Sequence, residues 1–108
     1  FDNEVFVRVE EMPGFNGGTS DLFREYIAKN LKYPEEAANK SIEGRVFVSF
    51  IVEKDGTVTN VKIVRGIDPI LDNEAIRVVE SSPKWTPGKQ RGELVRTTFT
   101  FPIIFKLQ

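Results

Sequence analysis

The sequence predicts an α+β fold of two layers: an antiparallel sheet of about three strands, or four if an N-terminal strand joins it, packed against two or three helices. Three observations carry this. The run GRVFVSFIVEKDGTVTNVKIVR at 44–65 alternates apolar and polar residues on both sides of a tight-turn signal. Two other stretches, near 20–31 and 68–80, repeat their apolar residues with helical spacing. The last segment sets Val95, Thr97, Phe99, Phe101, Ile103, Phe105 and Leu107 on one face of a strand. A chain of 108 residues fits one domain, 1–108, in which 1–18 holds a strand and a Gly-rich loop and 19–108 forms the core.

Taken in order, Val5, Val7 and Val9 alternate with charged and aromatic neighbours and predict a short first strand, which must pair at a sheet edge to satisfy its backbone. Gly14, Gly17 and Gly18 predict a flexible loop, and Thr19 or Ser20 the cap of the helix that follows. That helix carries Leu22, Phe23, Tyr26, Ile27 and Leu31 on one face and breaks at Tyr33, because the residue before Pro34 is pushed out of the α region. Pro34 suits the first turn of a second helix of about two turns, PEEAANK.

From Gly44 the period changes to two. Val46, Val48, Phe50 and Val52 share one face and Phe47 and Ile51 lie on the other, so this strand is expected to be central. Gly56 sits where a tight turn needs positive φ, and the next strand returns antiparallel to about Arg65. Val58 and Val61 break its alternation and place a bulge near Thr59 and Asn60. Asp68 and Pro69 open a helix with Leu71, Ala75, Val78 and Val79 on its buried stripe, ending before Pro83. PKWTPGKQRG reads as a loop. Pro102 interrupts the final strand and is compatible with it only if its missing N–H faces away from the neighbouring strand.

Composition narrows the function classes. Fifteen Lys and Arg against 16 Asp and Glu give a net charge of −1 and no global field for nucleic acid. With no Cys there is no disulfide or thiolate, and the apolar run at 46–52 falls far short of the roughly 20 residues that span a bilayer. The chain opens on Phe1 with no leader-like segment, which reads as an excised domain, any anchor or targeting signal being expected upstream.

No residue pattern argues for catalysis, a metal or any other cofactor. GFNGG lacks the Lys and hydroxyl of a phosphate loop, and the turn at Asp55 and Gly56 lacks the alternating oxygen ligands of a calcium loop. The adjacent pairs Glu10, Glu11 and Glu35, Glu36 point apart, so local geometry does not converge them. Lys84, Lys89 and Arg91 flank Trp85, but a Trp between two prolines is expected to anchor its loop in the core.

The motifs YP at 33–34, Ala37, IEGRV at 42–46, DGTV at 55–58, LDNEAI at 71–76, WTPGK at 85–89 and the Phe-rich last strand follow one another in an order that resembles the TonB C-terminal domain family over about 20–108. EEMPGFNGG and FPIIFKL resemble its Bacteroidetes-type forms. The resemblance implies the periplasmic domain of an energy transducer anchored in the inner membrane and driven there by an ExbB/ExbD-type motor. Such a domain grips the TonB box of outer-membrane transporters by adding it as a strand along its last strand, here about 94–106. Parity about Pro102 then directs Arg96, Thr98 and Thr100 to the open edge, and the family's contacts before the YP motif map to Asn30, Leu31 and Lys32. A first strand on that same edge would compete with the box. A homodimer and a docking tail of a membrane regulatory protein, such as a metallopeptidase-type receptor, are the alternatives the same resemblance allows. An acylphosphatase-like enzyme is disfavoured because EGRVFV comes without a Gly-rich anion cradle.

Overall fold

The computed structural model describes residues 4–15, 18 and 20–107. Its elements are β1 (Val5–Phe6), β2 (Gly14–Phe15), α1 (Ser20–Asn30), α2 (Glu35–Asn39), β3 (Gly44–Val52), β4 (Val58–Arg65), α3 (Pro69–Glu80), β5 (Trp85–Thr86), β6 (Gly88–Gln90) and β7 (Glu93–Phe105). The main sheet has the order β1-β7-β3-β4, with β6 also paired to β7, and β2 and β5 form a separate two-stranded ribbon.

β3 is central, as its two apolar faces predict. Val46, Val48, Phe50 and Val52 are fully buried beneath the helices, and Ser49 and Ile51 are buried on the far face. It pairs with β7 without a shift from Gly44↔Phe105 to Val52↔Thr97. Against β4 the register slips twice. One slip, between Ser49↔Lys62 and Ile51↔Thr59, is the expected bulge, with Asn60 at φ 51°. The other leaves Val64 unpaired between Ile63 and Arg65, and Val64 is exposed. Gly56 turns the hairpin at φ +88°, and a Cβ there would lie 2.1 Å from the Trp85 carbonyl oxygen.

The helical layer covers one face. α3 buries Leu71, Ala75, Val78 and Val79, the predicted stripe, and Asp68 caps it by accepting from the Ile70 amide at 3.0 Å. α1 contributes Phe23 and Ile27, and α2 contributes Ala37. α1 ends at Asn30, three residues before Tyr33. Thr19 lies outside the described residues, and Ser20 is the first residue of α1.

Trp85 is the hub of the core. Its ring centroid lies 4.9 Å from Phe23, 5.3 Å from Phe15, 5.5 Å from Phe99 and 5.7 Å from Phe50. Its indole N–H donates to Ser82 Oγ at 3.0 Å, and its backbone amide donates to the Gly56 carbonyl at 2.9 Å. The ring thus joins α1, β3, β7 and the N-terminal segment, and the backbone of the same residue holds the β3–β4 turn.

Three stretches differ from the sequence expectation. The first strand is only Val5–Phe6, and it runs parallel to β7 rather than antiparallel. Val9 leaves the ladder and is buried beside Gly88, where any Cβ would collide with Thr97 Oγ1 at 2.6 Å. Gly14 and Phe15, expected in a loop, pair with Thr86 and Trp85 as β2 on β5. The loop PKWTPGKQRG instead holds β5, β6 and a two-residue turn in which Arg91 and Gly92 both take positive φ, 53° and 77°, joining β6 to β7.

Trp85→Ala removes the hub and should cost about 3–5 kcal/mol, the range for a large buried aromatic. Urea unfolding followed by circular dichroism checks this. A loss below about 1 kcal/mol would place Trp85 outside the core.

Candidate strand-accepting edge

Pro102 fixes the orientation of β7. Having no N–H, it cannot be half of a doubly bonded antiparallel pair, so Phe47↔Pro102 is the wide pair and its neighbours Val46↔Ile103 and Val48↔Phe101 are the bonded ones. The register is unbroken from 97 to 105, so Thr97, Phe99, Phe101, Ile103 and Phe105 direct their backbone groups to β3. The Phe50 carbonyl, opposite Phe99, also lies within reach of Thr98 Oγ1 at 3.3 Å, as a carbonyl aimed at β7 must. The β6–β7 hairpin agrees: the pair flanking its two-residue turn, Gln90↔Glu93, is bonded, so Glu93 and Val95 face β6 on the same side. Even-numbered residues of β7 face the opposite edge.

That edge is partly occupied. β1 pairs there in register Val5↔Arg96 and Phe6↔Thr97, and no described strand pairs beyond it. The open run begins where Thr98 meets Phe6 and continues through Thr100 and Pro102 to Ile104. Arg96 therefore belongs to the covered part. Its guanidinium is also committed, donating to Glu53 Oε1 at 2.7 Å across the far face of the sheet. Thr98 is half-buried and Thr100 exposed.

Asn30, Leu31 and Lys32 stand at the end of α1, and a clamp from α3 holds their backbone. Glu74 accepts from the Lys32 amide at 2.7 Å and from Arg77 at 2.6 Å, while Arg77 donates to the Asn30 carbonyl at 3.0 Å. The Asn30 side-chain amide donates to the Tyr26 carbonyl at 2.8 Å, closing its own helix end. Of the three, Leu31 lines an apolar groove, with Ile27 and Ala28, against Phe101, Pro102 and Ile104 of β7. The six residues expected to meet a partner thus do not form one cluster: Leu31 lies beside the open edge, Thr100 lies on it, Thr98 stands at its boundary with β1, and Arg96 is paired alongside β1.

The electrostatics of these supports are one-directional. The Arg96 hydrogen bond holds the Glu53 carboxyl below the ordinary carboxylate range despite burial, and Thr59 also donates to it. Burial pushes Glu74 upward, but Arg77 and the Lys32 amide outweigh it and leave the carboxyl depressed. Among the described residues no three His, Cys, Asp or Glu side chains converge as metal ligands. Sequence reasoning missed Glu53, Glu74 and Arg77. The spacing of Glu74 and Arg77, three apart on a predicted helix, was the one available signal.

The fold and edge describe a class: a two-layer α+β domain on whose last strand no described strand pairs beyond β1 along one edge. Comparison with known proteins gives the family. Residues 29–107 match the family model described as Gram-negative bacterial TonB protein C-terminal, and the chain belongs to that family. It is 33% identical over 82 residues to the protein TonB of Helicobacter pylori, covering 71% of this chain but 29% of that protein, so it spans under a third of the length of the curated relatives it matches. The solution structure of the Helicobacter pylori TonB C-terminal domain superposes with a TM-score of 0.64 at 28% identity, covering 87% of this chain and 89% of that one. That of Pseudomonas aeruginosa gives 0.51 at 25% identity, covering 71% and 78%.

The depressed carboxyls predict an acid-labile domain. A folded pKa below the unfolded value means stability that is fully present above the ordinary Glu value of about 4.3 and lost as pH falls through the folded values. Urea midpoints at pH 7 and pH 3 should differ less in Glu53→Gln and Glu74→Gln than in the parent. Equal pH dependence in all three proteins would show that neither pair contributes.

Proposed function

We propose that this chain is the periplasmic C-terminal domain of a TonB-type energy transducer, anchored in the inner membrane through a part of the protein outside this sequence. It takes the TonB box of outer-membrane TonB-dependent transporters as an added strand on β7, and so couples the proton-motive force to nutrient uptake. Family membership supports the role, and the observation that carries the mode of binding is the outward run of β7 past β1, from the Thr98 carbonyl through Thr100 to Ile104, along which no described strand pairs. Strand addition draws affinity from main-chain hydrogen bonds and needs no reacting side chain. At about 1 kcal/mol net per bond, a box of five or six residues gains only several kcal/mol before ordering costs. Such a grip is weak and reversible, which suits a coupler that engages many receptors in turn.

The test uses proline as a probe of bond direction. Thr100→Pro removes an outward amide and should abolish binding of a TonB-box peptide in calorimetric titration while leaving the melting curve near that of the parent. Phe99→Pro removes an amide bonded to β3 and should unfold the domain. Peptide binding that survives Thr100→Pro would rule out β7 as the acceptor.

A further inference from the structure

We infer that the groove between α1 and β7 is a side-chain pocket for the added strand, taking one uncharged aliphatic side chain from its helix-facing side. The inference rests on the strand-accepting reading of β7 and adds to it a rule of specificity. A strand laid along the open edge alternates its side chains between the two faces of the sheet. Those set opposite Phe101 or Ile103 point the same way as these two, towards α1, whereas those opposite Pro102 or Ile104 point to the far face. The groove lies where the first kind must go.

Its lining is apolar on both walls: Ile27, Ala28 and Leu31 from α1, Phe101, Pro102 and Ile104 from β7. Its volume, about 190 Å³, is comparable to a cavity of about 150 Å³ that accommodates benzene, so it suits one branched side chain. Pro102 and Ile104 turn their side chains to the far face and close the groove along the strand, so the helix-facing wall from β7 is the Phe101 ring. Arg24 stands at the rim, its guanidinium carbon 5.7 Å from the Phe101 ring centroid, and its positive charge opposes a Lys or Arg entering the groove. β1 does not supply the occupant, because it pairs only as far as Thr97, at the other end of the edge. Main-chain pairing is indifferent to sequence, so a pocket beside the edge is how such a domain tells one extended segment from another.

The test pairs a peptide scan with a change in the groove. A nine-residue TonB-box peptide is titrated into the domain with each residue in turn replaced by Ala or by Lys. One aliphatic position should lose about tenfold in affinity on truncation to Ala, since two methylene groups leave an apolar site, and more on change to Lys. Ala28→Phe fills the groove from an exposed helix position and should weaken the parent peptide by about the same factor. It should also erase the difference between that peptide and its Ala variant. Ala28→Leu is the milder second variant, and melting curves confirm that both fold. If both bind every peptide as the parent does while Thr100→Pro still abolishes binding, the groove inference is wrong and the edge reading stands. If the parent domain binds no peptide, both fall. If sedimentation shows a dimer that Ala28→Phe dissociates, the occupant is a second copy of the chain and the inference is overturned.

Discussion

The ladder between β3 and β7 runs from Gly44↔Phe105 to Val52↔Thr97 without a shift, and a proline sits inside it. That combination fixes more than a pairing. Because Pro102 cannot donate, the bonded pairs fall on the odd residues of β7, and the same parity sends their side chains under the helices and leaves the even residues to the outer edge. A slip of one residue would put Val95, Phe101, Ile103 and Phe105 on the far face and present an apolar sheet to water. Core and edge are therefore set by one register.

The helical layer follows from that register. Phe23, Phe50, Phe99 and Phe101 converge with Trp85 because their strands and helix present them at one level of the sheet. Trp85 then brings its backbone against Gly56 and gives β2 a partner, which ties the N-terminal segment to the core. At the other end of α1, Glu74 and Arg77 hold the backbone of residues 30–32 against α3. α1 is thereby fixed along the open part of β7, close enough to form a groove and not so close as to pair with it.

Much of this was legible in the residues. The β3–β4 hairpin, the bulge at Asn60, the stripe of α3 and the long alternation of β7 are local patterns whose period states their structure. Pro102 announced the parity of its strand. The short elements were not legible, for a physical reason: Gly14–Phe15, Trp85–Thr86 and Gly88–Gln90 hold two or three residues each, too few for any period, and exist because tertiary contacts place their partners. β1 was expected, but its parallel direction and its place over Arg96 depend on how the chain crosses beside Gly88. The Glu53–Arg96 pair joins residues 43 apart in sequence, and the groove joins α1 to β7, so neither has a local signature.

Amide hydrogen exchange, read residue by residue in the free domain and with a saturating TonB-box peptide, bears most directly on the open edge of β7. In the free domain the amides of Phe99, Phe101 and Ile103 should be protected, while those of Thr100 and Ile104 exchange rapidly. Peptide should then slow Thr100 and Ile104 and leave the other three as they were. Protection of Thr100 and Ile104 without peptide, or their continued rapid exchange with it, would contradict a last strand that waits for a partner.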